Sequence, residues 1–492
     1  MSMDIFSHKR GVTVMLVMVF MGVFAMVVST LASYLLTQAN VGRAKYAREQ
    51  AFGIAEAGLE YYHWFLKHNP DDLTNGTGQP GPYIYIVDDP EGGTLGTASL
   101  SVVGNTACGV IQSIEVTSEG TSDADSRFKR TVVGRYMRPS VAEYSNLLNA
   151  NVWAGADRNI TGPYFSNGGI RMDGTNNSTV SSAVSAWLCT SSFGCSPSQN
   201  QAGVFGGGSG SALWQYPVPN FDFNGIASNF GTLQGYANTQ GILLASTSVR
   251  VAGVQQGGTF ASVGGTNQRG FRIVLRSDNT IDVYRVTGTS GVWGVHIDNP
   301  SVWMTDYDII TSETYHGRYT IPAGCPVIFA QSKVWLEGVV GNKVTIVAAD
   351  TGSYTPDIIL NNNITYASVS GTSGLTAIAE RSVLIPLISP DVMTVRGVFV
   401  AQSGYLGRNY YTTSGSRDVP SQYDSYVMQS SLTTIGSVVS NGRVGTKWSC
   451  GGNFCSGYSN RTDTYDRLLA FLPPAFTPAA TQDHKFVIWR EQ

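Results

Sequence analysis

KRGVTVMLVMVFMGVFAMVVSTLASYLLTQANVGRAKYAREQAFGIAEAGLEYYHWFLKHNP, residues 9–70, sets the plan of this chain. No charged residue occurs from 11 to 42, and 12–36 is almost wholly apolar. That stretch as a helix, at ~1.5 Å per residue, is ~37 Å long, enough for a ~30 Å hydrocarbon core. A cleaved secretory signal has a shorter apolar region, roughly 7–15 residues, so the run reads as a membrane segment. From 44 to 66 there is neither Pro nor a turn cluster, and Ala47, Ala51, Ala55, Leu59, Tyr62 and Leu66 recur at helical steps. They form one stripe, while Arg43, Lys45, Arg48, Glu49, Glu56 and Glu60 occupy the remaining surface. Asn69-Pro70 stops the pattern, because a residue before Pro leaves the α region. One helix is therefore expected from about residue 11 to 68, with a lipid-soluble first half and a second half that must lie on something.

Lys9-Arg10-Gly11-Val12-Thr13-Val14-Met15-Leu16, the apolar run, and Arg48-Glu49-Gln50-Ala51-Phe52-Gly53-Ile54-Ala55-Glu56-Ala57-Gly58-Leu59-Glu60 resemble the N-terminal segment of PilX-type minor pilins of type IV pili. The resemblance covers residues 9–66, and Ala55, Glu56, Ala57, Gly58 and Leu59 are its most specific element. It implies a leader, 1–11, whose basic residues Lys9 and Arg10 precede a cut between Gly11 and Val12. A prepilin peptidase would make that cut on the cytoplasmic face, and the new amine would be methylated. It further implies other pilins, the inner-membrane assembly machinery and membrane lipid as partners. The N-terminus would be cytoplasmic before assembly, with the bulk of the chain extracytoplasmic and then on an extracellular pilus. Many pilins carry Glu at the fifth mature position, where this chain has Leu16; that difference points to a tip or initiation subunit.

Residues 80–137 read as four short alternating strands, an antiparallel sheet for the helix to pack on. Arg138-Pro139-Ser140 marks a boundary. Beyond it the composition is that of strands and turns: 13% charged residues, 56 Gly and 11% aromatics over 492 residues. Between Asp173 and Asp222 no residue is charged, and 27 of the 48 are Gly, Ser, Thr, Asn or Gln, so this is no second membrane span. Gly206 to Gly210 is its loosest point by composition. A hairpin is expected at 271–286 around Ser277-Asp278-Asn279. From 325 to 411, Val/Ile-rich strands recur; taking Val327, Val344, Ile364, Val383 and Val398 as equivalent gives a loose rung period, with coils such as 152–184 before it. A β-sandwich with irregular loops is the alternative. The expected fold class is α+β: a long N-terminal membrane-spanning helix with a small pilin-like antiparallel sheet, then a mainly-β domain, a β-solenoid or β-helix with an inserted hairpin region. The expected divisions are leader 1–11, helix 12–69, small sheet 70–139, first part of the β-domain 140–225, insertion 226–324, solenoid 325–412, and a segment closing the β-domain, 413–492.

Six cysteines include two local pairs, Cys189 with Cys195 and Cys450 with Cys455, without zinc spacing. Disulfides of an exported domain are the reading, with Cys108 and Cys325 left unassigned. No nucleophile elbow, phosphate loop or zinc-protease motif occurs. Asp306 and Asp308 suit a paired-carboxylate site near Trp303, Tyr307 and Tyr315, but an exposed pair without catalytic role is preferred. The acidic clusters at Asp71-Asp72, Asp88-Asp89-Pro90-Glu91 and Asp123-Ala124-Asp125 read as solvated turns. No enzyme, catalytic residue, cofactor or metal is expected. The formal charge of -3 excludes a polybasic role. The expected function is a scarce tip or initiation pilin-like subunit displaying its β-domain to an extracellular surface ligand. The alternatives are a membrane-anchored carbohydrate-active β-helix and a DNA-uptake receptor, for which Lys333, Lys343, Arg381, Arg396 and Arg408 with Tyr405, Tyr410 and Tyr411 would form the surface.

Overall fold

A computed structural model describes residues 9–70, 72–260, 269–350, 352, 354–481 and 483–492; leader residues 1–8 and Asp71 lie outside the described residues. The chain divides into two compact units, Met1–Gly104 with Ile114–Tyr136 and Phe486–Gln492, and Asn105–Ser113 with Met137–Lys485.

In the first unit one helix, α1 (Lys9–His68), carries both halves of the N-terminal pattern. Residues 11–43 are exposed throughout, and within Gly11–His68 lies a window long and apolar enough to cross a membrane. The six stripe residues of the second half are buried. They lie on a five-stranded sheet in the order β1 (Tyr83–Asp88), β2 (Thr94–Ala107), β3 (Val110–Ser122), β4 (Lys129–Met137) and the C-terminal strand Lys485–Glu491. Ala98, Leu100, Ile114, Val116 and Val132 supply the buried sheet face. Small residues let the backbones approach closely. A Cβ on Gly58 would stand 2.5 Å from that of Ala98 and 2.6 Å from Ser118 Oγ, and one on Gly120 would stand 2.5 Å from Ala55 N. The fifth strand is a correction to the expected closing segment: residues 486–491 join the small sheet. β4 offers unpaired backbone groups on that edge. Phe486 stacks edge-on with His63 and Tyr136, and Trp489 with Phe52.

The second unit is a parallel β-helix with three faces. Its longest face is a ladder of parallel strands: Ile242–Leu244, Val327–Ala330, Lys343–Ala348, Gly374–Ala379, Val392–Ala401, Met428–Ser440, Asn146–Leu148, Tyr164–Ser166, Val180–Ser182 and Trp214–Gln215. A second face stacks Phe271, Val334, Ile358, Val383 and Leu406 in register. A third runs through Gly338, Ile364 and Val395. Of the expected equivalent rungs, Val327, Val344 and Val398 share the long face, whereas Val383 lies on the second and Ile364 on the third. All three faces bury the same Val/Ile chemistry, so spacing alone does not separate a face from a coil.

The stacking order breaks the chain order. Asn146 to Leu148 pair with Val438 to Ser440, so the coils of 146–215 stack beyond the coil that the chain reaches last. Residues 216–241 carry the chain back to the opposite end, where Ile242 pairs with Ile328. On the way, Ile226 and the helix Phe230–Thr239, through Leu233 and Ala237, share a buried cluster with Leu147, Val327, Phe329, Val347, Ile378, Val398, Val400 and Val439. The long face is thus covered on its outer side as well as its inner side. Val327–Ala330 reads as an unbroken apolar run for that reason, as parallel strands buried on both faces do, while buried Thr345 and Thr376 interrupt the runs of their neighbours.

The expected insertion at 226–324 is corrected accordingly. Ile242–Leu244 and Gly270–Leu275 are rungs of the β-helix, and the hairpin at Ser277-Asp278-Asn279 leads from a rung into a ribbon. That ribbon pairs Thr280–Val295 with Trp303–Thr320. Gly206 to Gly210 is not loose either: Gly208 N donates to Met172 O (3.0 Å) and Gly207 N to Asp173 Oδ1 (3.0 Å). A Cβ on Gly206 would stand 2.5 Å from Met172 C, so glycine serves close backbone approach here.

Disulfides join Cys189 to Cys195, Cys450 to Cys455 and Cys108 to Cys325, and no cysteine is free.

The out-of-order seam is held by reciprocal ion pairs. Arg158 binds Asp463, both buried, with Nε 2.9 Å from Oδ2. Arg461 forks Asp157 at 2.8 and 2.9 Å, and Lys447 adds a contact at 3.2 Å. Removing one partner of a buried pair strands the other charge. Asp463→Ala is therefore expected to cost about 3–5 kcal/mol, whereas Arg158→Met with Asp463→Leu costs far less. Urea unfolding of the detergent-solubilised chain measures both; equal losses would show that the seam does not depend on charge pairing.

Candidate functional site

Lys9, Arg10, Gly11 and Val12 stand in the first turns of α1, and Val12 is exposed. Within the family-like element, Ala55, Gly58 and Leu59 are buried against the sheet, while Glu56 and Ala57 are half-buried. Small residues on the buried side of the element are what the close helix–sheet packing uses.

Asp306 and Asp308 are not exposed, contrary to expectation; both are buried on the ribbon strand Trp303–Thr320. Asp306 takes His296 Nε2 at 2.6 Å, Asn409 Nδ2 at 2.9 Å and the Tyr411 hydroxyl at 3.0 Å. Asp308 pairs with Lys333 Nζ at 2.7 Å, and its backbone carbonyl accepts from Trp335 Nε1 at 2.7 Å. Burial pushes the Lys333 ammonium down, but the charges of Asp308 and Asp357 outweigh it, and the net shift is upward. Burial likewise pushes His296 down, and the hydrogen bond and charge of Asp306, with Asp298 and Asp308, reverse it to a net rise. Each carboxylate thus has partners within the protein. The two lie in separate networks that fasten the ribbon to the β-helix, an arrangement that offers no shared site for a substrate between them.

The residues nominated for a nucleic-acid surface are corrected in the same way. Lys333 is buried, and Arg408 is fully buried, donating to Ser389 Oγ (2.6 Å) and Leu387 O (3.1 Å). Arg381 pairs with Asp357, with Nε 2.8 Å from Oδ1; Arg396 pairs with Asp466 at 2.7 Å and stacks on Tyr366. Tyr405 and Tyr411 are buried, their hydroxyls on Asn409 and Asp306. Lys343 and Tyr410 are half-buried. These side chains scatter because period-two alternation turns half of every strand inward.

Among the described residues, no group of three or more His, Cys, Asp or Glu is placed to hold a metal ion. Of the acidic turns, Asp72 accepts from Thr74 N and Oγ1, both at 2.6 Å, and Asp125 pairs with Arg127.

An unforeseen group lies at the end of the ribbon. Arg417, on the loop closed by Val419 N donating to Thr412 O (2.9 Å), places its guanidinium 4.9 Å from the centre of the Trp293 ring and 5.8 Å from that of Trp303. Trp303 meets Tyr410 at 5.8 Å, and Tyr410 meets Trp448 at 5.7 Å. The sequence signal was only the aromatic content around 293–307, because these residues come from three segments.

No family model matches the chain, and no curated protein matches it. Among solved structures, the competence-associated pilin ComZ from Thermus thermophilus is similar over 91% of this chain and 97% of its own, at 14% identity and a TM-score of 0.29. So loose a likeness carries no argument here. The fold itself is the α+β layout of a long N-terminal apolar helix, an antiparallel sheet on its second half and a large mainly-β domain.

The raised His296 gives a pH signature. A group whose folded value lies above its ordinary 6.5 contributes stability that is complete below that value and lost as pH rises through the folded one. The thermal midpoint of the native chain is expected to exceed that of His296→Gln by more at about pH 5.5 than at about pH 8.5. A difference that is constant or grows with pH would contradict the His296–Asp306 attachment.

Proposed function

We propose that the chain is a non-enzymatic subunit of a type IV pilus or related filament, placed at its tip or in its initiation complex, which displays the β-helix to an extracellular ligand. One observation carries this reading. A single unbroken helix presents an apolar, fully exposed half and then buries its other half on a sheet through small residues. An exposed apolar half is soluble in lipid and, outside it, needs the helices of other subunits as cover. The leader-like Lys9-Arg10-Gly11 before that half supports processing by a prepilin peptidase on the cytoplasmic face, between Gly11 and Val12. Assembly would then involve other pilins and the inner-membrane machinery.

The large second unit supports a scarce position. A repeating shaft would have to accommodate its bulk at every copy, whereas a tip holds it once. Leu16 has no carboxylate with which to meet the N-terminal amine of a neighbour. The internal pairing of Asp306 and Asp308 favours the non-enzymatic reading over a carbohydrate-active enzyme. The burial and pairing of most of the nominated cations weakens the DNA-receptor alternative.

Intact mass of protein recovered from filament-bearing cells should place Val12 at a methylated N-terminus, and Gly11→Leu should leave the leader attached. Recovery of the native chain with its leader intact would count against the pilin reading. In sheared filaments, quantitative mass spectrometry with gold labelling of the β-helix should find rare, terminal copies. Regular labels along shafts, at the abundance of the main subunit, would refute the tip position.

A further inference from the structure

The inward side of the ribbon carries one charge that the protein does not neutralise. Strand Thr280–Val295 sends Ile281, Val283 and Arg285 to the same side, and the first two enter the core beside Phe271. Arg285 continues that row. It lies opposite Phe271 on one neighbouring strand and Thr314 on the other, and is only 8% exposed. Its Nε and Nη1 are both buried without a hydrogen-bond partner. The guanidinium lies 5.1 Å from the centre of the Phe260 ring and 4.8 Å from that of Phe271. Such contacts recover only part of what it costs to bury an unpaired charge. Arginine does not escape that cost by giving up its proton.

Among the described residues no carboxylate pairs with Arg285. Residues 223–277, which include Phe260 and Phe271, contain four arginines and no Asp or Glu. The nearby acids are engaged on the other side of the ribbon: Asp282 with Arg318 and Arg276, and Glu313 and Glu337 with Arg272. Arg269 instead adds a second positive charge. Burial first, and then the charge of Arg269, push the Arg285 guanidinium below its ordinary pKa. His316 brings no third charge, because burial pushes its pKa down; its Nδ1 lies 2.6 Å from the Tyr319 hydroxyl and its ring stands edge-on to Phe260 at 5.5 Å. Two guanidinium groups among apolar rings, with no acid, suit a small anion. A carboxylate matches them better than a phosphate does. Its two oxygens fit an arginine fork in one plane and its apolar stem can rest on the rings, whereas the further oxygens of phosphate would face rings that offer no donor.

We infer that Arg285 and Arg269, with Phe260 and Phe271 as walls, form a binding site for a small carboxylate at the end of the β-helix where Ile242 begins its coil. The site lies wholly within the second unit and holds whether or not the chain enters filaments.

The test is fluorine NMR of para-fluorobenzoate, with para-fluorobenzamide as its neutral twin and inorganic phosphate as a competitor. The full chain in non-ionic detergent should broaden the benzoate signal beyond what chain-free micelles do, and should leave the amide signal unchanged. Arg285→Met should weaken benzoate binding by about tenfold or more, as loss of a charged hydrogen-bond donor does. Because it also removes an uncompensated buried charge, it should raise the thermal midpoint of the ligand-free chain by about 2–4 °C. A guanidinium that served only to cap the core would give the reverse, a lower midpoint. Arg269 is half-buried, so Arg269→Gln should keep the native circular dichroism spectrum and weaken binding by a smaller factor, which tests the site even if Arg285→Met does not fold. Equal broadening of acid and amide, benzoate binding unmoved by either substitution, a lower midpoint for Arg285→Met, or displacement by phosphate at a lower concentration than by unlabelled benzoate would each overturn the inference.

Discussion

The long parallel face of the β-helix governs the rest of the second unit. Its strands carry apolar side chains on both sides, so an inner core is not enough and an outer cover is obligatory. Residues 216–241 supply part of that cover through Ile226, Leu233 and Ala237, and Val141, Ala142, Leu469 and Phe476 supply more of it. A covering segment that travels the length of the face delivers the chain to the far end. The next coil therefore begins at Ile242, and the chain must climb back until Val438 meets Asn146. The inverted stacking order and the covered face are two aspects of one solution.

Charge adds specific partners to rungs whose burial already fixes which side chains face inward. At the seam, Arg158 with Asp463 and Arg461 with Asp157 pair only in one register. Along the ribbon, Asp306 and Asp308 perform the same task with His296, Asn409, Tyr411 and Lys333. Buried pairs of this kind add little net stability, but each is expensive to break singly. Carboxylates that resemble a paired-carboxylate site in sequence are in this protein engaged in attaching the ribbon to the β-helix.

The first unit solves a different problem. A helix of ~90 Å, at ~1.5 Å per residue, cannot be held by end contacts alone. It is seated over its second half by a stripe that begins with alanines and by glycines at 58 and 120, which bring the two backbones together. Large side chains are Ile54 among the alanines and then Leu59, Tyr62 and Leu66 toward the C-terminal end. The first half remains free for lipid or for other helices, and this division of one element between two environments underlies the functional proposal.

Much of this was legible in residues 9–137. The helix, its buried stripe and four strands appeared where local periodicity set them, because a period of 3.6 or 2 reflects only which side of an element is covered. The two short disulfides were legible for a similar reason, since a spacing of five or six residues leaves few partners. What tertiary structure alone decided were the pairings across long separations: Cys108 with Cys325, Val438 with Asn146, the terminal strand with β4, and Arg417 with Trp293 and Trp303. Ile364 and Val383 were assigned to the wrong face, and Asp306 and Asp308 to the surface, by the same limitation. An apolar or acidic residue records that it will be buried or paired, but the identity of its partner depends on how distant segments stack, and no local pattern carries that information.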